Sequence, residues 1–110
     1  MPFIDARALP VLELKQGWRG RFFHSEHMTF AYYDLAEGAS LHEHAHPNEE
    51  VWHVLEGEVS LTLGGETKSV VAGCAAVVPK ETPHAVVATK ASRVIVVDHP
   101  VRHEVGGVRI

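Results

Sequence analysis

Cysteine is nearly absent from this chain, which has 110 residues and a single thiol at Cys74. One thiol excludes an internal disulfide, and with it the small secreted domains that several disulfides hold together. Long hydrophobic runs are also lacking, because no apolar stretch approaches the roughly 20 residues that cross a bilayer. Basic clusters are missing as well, and the net charge of −4 is unlike that of nucleic-acid-binding domains. We therefore expect neither a nucleic-acid partner nor a membrane partner.

The N-terminus lacks the basic-then-apolar order of a signal peptide, so we expect a cytoplasmic location. Helical periodicity is equally scarce: residues 6–16 form the best helical candidate, and their pattern is weak. A chain of this length has room for one core, which predicts a single domain over 1–110. Within it we expect a barrel core at about 28–98, with segment 1–26 as a candidate dimer arm. Residues 17–20 are either a dimer contact or a turn.

Histidine, by contrast, is abundant, with nine in the chain. It is the commonest metal ligand among side chains and it titrates near neutral pH, so a cluster of histidines indicates chemistry. We expect His27, His99 and His103 to lie on the surface. Three others fall close together within residues 42–46, where a functional site is therefore expected.

Short runs rich in β-branched residues, separated by Gly and Pro, make up most of the chain. Residues 59–63 alternate strictly between apolar and polar side chains, as a strand with one buried face does. Gly64-Gly65 then predicts a hairpin turn into a strand at 66–72, and Glu56-Gly57 predicts another such turn. The pattern predicts an all-β fold, either a sandwich or a barrel. Further strands are predicted at 29–35, 75–78, 85–89 and 94–97.

The most informative stretch is residues 38–50, which reads GASLHEHAHPNEE. Alternate side chains of a strand face the same way, so the three histidines of 42–46 are expected on one face. A Pro-Asn turn signal follows, after which Glu50 returns a carboxylate to that face if the next strand pairs back. Imidazole nitrogens together with a carboxylate oxygen suit a divalent transition metal. The stretch therefore predicts a metal site.

These residues resemble the first motif of the cupin superfamily, G-x5-H-x-H-x3-E-x6-G. Every fixed position of that motif is present, at Gly38, His44, His46, Glu50 and Gly57. The resemblance therefore extends over the whole stretch that the histidine pattern singled out.

The second cupin motif, G-x5-P-x-G-x2-H-x3-N, is matched at Gly73, Pro79 and His84. The chain departs from it at Glu81, where the motif has Gly, and at Ala88, where it has Asn. Neither departure falls on a ligand position. Glu81 puts in doubt the turn conformation that Gly would favour.

The resemblance implies a double-stranded β-helix, the jelly-roll barrel of the cupins, with one divalent metal ion inside it. His44, His46 and Glu50 match the ligand positions of the first motif, and His84 matches that of the second. Glu49 competes with Glu50 on chemistry alone, but the motif spacing and the strand parity both favour Glu50.

Four protein ligands leave one or two coordination positions open if the ion is five- or six-coordinate, which is typical of a catalytic metal. We therefore expect a metal-dependent enzyme that acts on a small, oxygen-rich molecule. Iron would suit a dioxygenase, whereas zinc, manganese or nickel would suit Lewis-acid isomerase or lyase chemistry. The alternative is a non-catalytic cupin that binds a sugar-like ligand, because the fold alone does not choose among reactions.

Strand parity also predicts the wall of the site. Counting from Glu50, Trp52 shares its inward face, and Tyr33 lies on the inward face of the strand at 29–35. Both are candidate substrate-binding residues, with ordinary core packing as the alternative. His42 stands outside the motif and is a candidate pocket or rim residue; His42 and Tyr33 are also candidate proton carriers.

The opposite face of the strand after the Pro-Asn turn carries Val51, His53 and Leu55. Apolar residues on both faces of a strand indicate that something covers the outer face. We therefore expect a homodimer.

Overall fold

The computed structural model describes residues 3–110, which form strands and turns with one short 3₁₀-helix at Ala6–Ala8. In chain order the strands are β1 (Leu12–Lys15), β2 (Trp18–His24), β3 (Thr29–Leu35), β4 (Ser40–His44), β5 (Glu49–Glu56), β6 (Glu58–Leu63), β7 (Glu66–Val71), β8 (Ala75–Val78), β9 (His84–Ala88), β10 (Ser92–His99), β11 (Glu104–Val105) and β12 (Val108–Arg109). Of the described residues, no helix is long and apolar enough to cross a membrane.

Two antiparallel sheets face each other and enclose the core. The larger sheet has the strand order β1-β2-β3-β10-β5-β8, and the smaller has the order β4-β9-β6-β7. Strands β11 and β12 form a separate short hairpin. The chain crosses between the sheets several times, and this two-sheet arrangement confirms the predicted all-β jelly roll.

Alternation of burial along β3 shows how the sequence builds the barrel. Thr29, Ala31, Tyr33 and Leu35 are buried on the inner face, whereas Asp34 is exposed on the outer one. The same alternation of burial runs through β10, which pairs with β3, and through β5, which pairs with β10. The interior is therefore lined by every second residue of the central strands.

The N-terminal segment is part of the barrel rather than an arm beside it. Strands β1 and β2 join the six-stranded sheet, and Trp18 is buried in the core. The barrel thus begins at Leu12, well before the predicted boundary near residue 28. Of the weak helical candidate at 6–16, only Ala6–Ala8 is helical, because Pro10 follows and the residues of β1 alternate in burial as a strand.

Gly64 and Gly65 make the predicted hairpin between β6 and β7. Gly57 does not make a hairpin, because β5 and β6 belong to different sheets. It is instead a corner at which the chain passes from one sheet to the other, with a φ of 85°. A Cβ at this position would collide with the Ala91 carbonyl oxygen and the Ser92 hydroxyl. Glycine is required there by both conformation and space.

Candidate metal centre

Strand pairing brings the four predicted ligands to one end of the barrel. His44, the last residue of β4, lies directly opposite His84, the first residue of β9. Glu50 is on the inner face of β5, in the other sheet, and His46 is in the short loop between β4 and β5. Two sheets and one loop therefore converge on a single point.

The donor atoms lie close enough to share one ion. One ring nitrogen from each of His44, His46 and His84 lies within 4.8 Å of the others. The Nε2 atoms of His46 and His84 are each 3.4 Å from an oxygen of Glu50. Glu49, the competing carboxylate, is exposed. All four residues predicted as ligands are brought together.

Two of the imidazoles are held in a defined orientation by backbone carbonyls. Nδ1 of His44 lies 2.9 Å from the carbonyl oxygen of His42, and Nδ1 of His84 lies 2.8 Å from that of Thr82. Each Nδ1 donates its proton to the carbonyl, so each Nε2 is left with a free lone pair. This is the arrangement that metal-binding histidines have.

Several of the ligand nitrogens have no hydrogen-bond partner among the described residues, although they are buried. They are both ring nitrogens of His46 and Nε2 of His84. An unpaired buried polar atom costs about 1–3 kcal/mol, so a folded protein normally satisfies it. A metal ion would satisfy these nitrogens together, and the donor set therefore fits the metal that the motif implies.

Glu50 is buried and its carboxylate is held on both oxygens. The indole Nε1 of Trp52 donates to one oxygen at 2.7 Å, and Nη1 of Arg102 donates to the other at 3.2 Å. Burial would raise the pKa of Glu50, but the contacts from His46, His84 and Trp52 outweigh it and hold that pKa well below its ordinary value. Glu50 is therefore an anion in the folded protein, as a metal ligand must be.

The two oriented histidines differ in basicity. Burial lowers the pKa of His44. Burial also acts to lower the pKa of His84, but the adjacent Glu50 carboxylate and the Thr82 carbonyl overcome it and raise the pKa. Protons therefore compete with a metal more strongly at His84 than at His44.

Sequence reasoning missed two charged residues beside this centre, Asp98 and Arg102. Asp98 is buried on the inner face of β10, directly opposite Glu50 in the sheet. Nη1 of Arg102 lies 3.6 Å from Asp98 as well as 3.2 Å from Glu50. Burial and the charge of Glu50 raise the pKa of Asp98 to about 8. Asp98 could have been found from the sequence, because Val94, Val96 and Asp98 are alternate residues of one strand and so share its inner face. Arg102 lies in a loop, where no such pattern exists.

His42 does not share the face of His44, contrary to the strand-parity prediction. Leu41 pairs with Val86 but His44 pairs with His84, so β4 uses three residues where β9 uses two. This β-bulge turns His42 outward and makes it exposed. It lines a cleft of about 140 Å³ near Trp18 and Val105, whose lining includes none of the four ligand candidates.

Tyr33 and Trp52 lie on the inner face, as predicted, and both are nearly inaccessible. Their exposed fractions are 5% and 2%, and they pack with Trp18 and Phe22 in an edge-to-face aromatic cluster. Burial and the charge of Glu50 raise the pKa of the Tyr33 phenol above its ordinary value, so it stays protonated. Core packing accounts for most of the surface of both residues.

Glu81 occupies the position where the second motif has Gly, and it keeps the conformation that Gly favours. Its φ is 61°, in the left-handed region that costs a non-glycine residue about 1–2 kcal/mol. The Glu81 N–H donates to the carbonyl oxygen of His46 at 2.8 Å. The turn is thus retained despite the departure, and it tethers the loop that carries His46.

The chain is a jelly roll that gathers three imidazoles and a carboxylate at one end, a donor set that could hold a metal ion. A family model described as the Cupin domain matches residues 31–100. This chain belongs to the cupin family. No curated protein matches the chain.

Solved structures with the same fold cover nearly the whole chain. An RmlC-like cupin from Shewanella frigidimarina NCIMB 400 has 22% identity and a TM-score of 0.87, over 93% of both chains. KdgF from a Halomonas species has 24% identity and a TM-score of 0.86, over 93% of this chain and 96% of that one.

An enzyme with known metal centres is also similar in fold. A tryptophan-to-tyrosine variant of oxalate decarboxylase from Bacillus subtilis has 19% identity and a TM-score of 0.79, over 88% of this chain and 29% of that one. Mn(II) centres are described for that enzyme. At such identities these structures are evidence for the fold and not for a shared reaction.

Proposed function

We propose that this cupin binds one divalent transition metal ion on His44, His46, Glu50 and His84 and is an enzyme acting on a small, oxygen-rich molecule. The observation that supports it best is the set of buried imidazole nitrogens that have no hydrogen-bond partner in residues 3–110 and that surround an ionised carboxylate. A protein that only needed a stable interior would gain from apolar residues at these positions. Their retention favours a site built for a cation.

Such an ion, when bound, would polarise a substrate oxygen or a water molecule at an open coordination position. The other residues of the site hold the ligand side chains in place. His44 and His84 keep one tautomer through their backbone partners, and Trp52 holds Glu50 in place. These contacts keep the ligand geometry constant while a substrate enters and leaves.

The residues proposed to meet the substrate have different accessibility. Tyr33 and Trp52 are 5% and 2% exposed, so any contribution of theirs to an apolar wall for the substrate is confined to this small exposed surface. The raised pKa of Tyr33 keeps its hydroxyl protonated, so Tyr33 is proposed to form hydrogen bonds rather than to carry a proton. His42 is proposed as a rim residue rather than a proton carrier at the metal, because the bulge turns it away.

The direct test is elemental analysis of protein purified without oxygen. We expect about one equivalent of a transition metal in the wild type and none in the variant His44→Ala with His46→Ala. A matched control changes two exposed histidines, His27→Ala with His99→Ala, and should keep its metal. Equal metal in the wild type and the His44/His46 variant would disprove the site.

The identity of the metal then directs the search for the reaction. Iron would favour oxygen chemistry, and zinc, manganese or nickel would favour Lewis-acid isomerase or lyase chemistry. A site that binds no metal in any of these tests would favour the non-catalytic ligand-binding alternative.

We also propose that the protein is a homodimer through the outer face of the six-stranded sheet. One apolar residue from each of five neighbouring strands lies in a straight row across that face. In register order the row is Phe23, Phe30, Val97, Val51 and Val77. The first two rings stack with centroids 4.8 Å apart, and Val77 is 56% exposed. A second copy related by a two-fold axis would cover the row with an identical row.

Sedimentation at micromolar concentration should give a dimer. Val51→Glu puts a charge in the centre of the row and should give a monomer, because a buried charge without a partner is costly. The control is Val87→Glu, which places the same charge on an exposed valine of the four-stranded sheet. A monomeric wild type would mean that this face is not a self-association surface.

A further inference from the structure

Two buried carboxylates lie side by side at the metal-binding end of the barrel. Glu50 and Asp98 face each other across β5 and β10, and both are 3% exposed. Two ionised carboxylates this close would repel strongly in a buried environment, so a cation in contact with both is stabilising. Nη1 of the Arg102 guanidinium contacts both, 3.2 Å from Glu50 and 3.6 Å from Asp98.

The backbone of Arg102 is held by the buried side chain of Thr29. Its backbone N–H donates to the hydroxyl oxygen of Thr29 at 2.8 Å, and that hydroxyl donates to the Arg102 carbonyl oxygen at 3.1 Å. Thr29 is buried on β3, directly opposite Asp98. Asn48, which precedes β5, adds a second tie by donating to the carbonyl oxygen of Pro100 at 2.6 Å. The loop after β10 is therefore anchored on both sides of the centre.

We propose that Arg102, held by Thr29 and partnered by Asp98, is a positioning residue that orients the Glu50 carboxylate toward the metal ion. This rests on the proposed metal centre. Trp52 takes one oxygen of Glu50 and Arg102 takes the other, so the carboxylate plane cannot rotate. Outer partners of this kind change metal affinity by about 10–100-fold when removed.

Removal of the ion pair tests this role, because an effect of charge and an effect of orientation predict different changes in metal affinity. The variant Arg102→Met with Asp98→Asn deletes the pair as a unit and leaves Glu50 and Trp52 in place. If Asp98 is ionised, the deletion leaves the net charge unchanged, and charge alone predicts unchanged affinity for a cation. If Asp98 is protonated, the deletion removes one positive charge, and charge alone predicts tighter binding. Lost orientation predicts weaker binding. Because the Asp98 carboxylate lies within 4.8 Å of donor atoms of His46 and Glu50, Arg102→Met with Asp98 kept is tested beside the double variant, and weaker binding there cannot come from loss of Asp98 as a ligand.

The experiment is a titration of metal-free protein with Co(II), followed by the visible absorption of the bound ion. We expect the dissociation constant of the Arg102/Asp98 variant to rise at least tenfold, with an altered absorption spectrum because the ligand geometry changes. Thr29→Val removes only the anchoring hydroxyl and should shift the dissociation constant in the same direction by a smaller factor. If the double variant does not fold, as thermal unfolding would reveal, the Thr29 variant provides the test.

The same strands provide a matched control on the outer face. Arg93 on β10 and Asp34 on β3 form an exposed cross-strand ion pair at 3.2 Å. Arg93→Met with Asp34→Asn makes the same two chemical changes away from the centre, and Co(II) binding should be unchanged.

The outcomes separate this role from the metal site itself. A wild type that binds no Co(II) overturns both proposals. A wild type that binds Co(II), with an Arg102/Asp98 variant of equal or tighter affinity and the same spectrum, overturns only the positioning role. Weaker binding by that variant and by Arg102→Met, with the control unchanged, supports it.

Discussion

The two ends of the barrel interior are built from opposite chemistry. One end is apolar, with Leu35, Val54, Val59 and Ala88 packed around the corner at Gly57. The other end is polar, and it holds the three imidazoles, two carboxylates and one guanidinium described above. The same two sheets supply both ends.

This difference indicates that the apolar end provides stability and the polar end provides function. The apolar end is stabilised by packing, which contributes about 25 cal/mol for each Å² of apolar surface buried. The polar end leaves buried nitrogens without partners among the described residues, and this lowers the stability of the metal-free fold. We infer that the apolar end holds the barrel together, while the polar end is stabilised by a bound cation.

The largest effect on stability is expected at the apolar end, from Gly57→Ala. The left-handed conformation costs alanine about 1–2 kcal/mol, and the collision with the Ala91 carbonyl adds about 1–3 kcal/mol. Chemical denaturation of the metal-free protein should show a loss of roughly 3 kcal/mol, whereas Gly65→Ala, at an open turn with a similar φ, should lose only the conformational part. Equal losses for the two variants would show that the corner is not tightly packed.

A smaller effect of opposite sign is expected at the polar end, from His46→Leu. Replacing an imidazole whose two buried nitrogens lack partners by an apolar side chain should raise the stability of the metal-free protein by about 1 kcal/mol. The same variant should lose metal, which elemental analysis would show. A metal-free variant less stable than the metal-free wild type would contradict the division between the two ends.

The smallest effect is expected from Glu81→Gly at the turn that tethers His46. Relief of the left-handed strain, about 1–2 kcal/mol, is offset by the backbone entropy of glycine, about 0.5–1 kcal/mol. Thermal unfolding should therefore show a net gain of about 0.5 kcal/mol, with unchanged metal content. Glu81→Ala, which keeps the strain, is the control and should not stabilise the protein.

Local signals in the chain were sufficient for the elements that depend on local patterns. The alternation at 29–35 predicted β3 with its inner and outer faces, and Gly64-Gly65 predicted the hairpin between β6 and β7. The histidine spacing and Glu50 predicted which donors converge. Each of these depends only on the period of two along a strand, on the conformational range of glycine or on motif spacing.

Features that depend on partners distant in the chain were beyond such reasoning. The alternation of a strand predicted His42 on the same face as His44, but the β-bulge against β9 places them on different faces. A bulge depends on the register between two strands, which the sequence of one strand does not show. The turn predicted at Gly57 proved to be a corner between sheets, since the sequence does not state which strand pairs with which.

By itself the sequence determined the all-β class, the cupin resemblance and the four residues that converge at one end of the barrel. Only the tertiary structure decided that Asp98 lies opposite Glu50 and that Arg102, whose backbone is anchored by Thr29, contacts both. The physical reason is that His44, His46 and Glu50 are spaced along β4, the following loop and the start of β5, and that the second motif marks His84. Charge compensation for a buried carboxylate comes instead from whichever side chains the packed sheets bring near it.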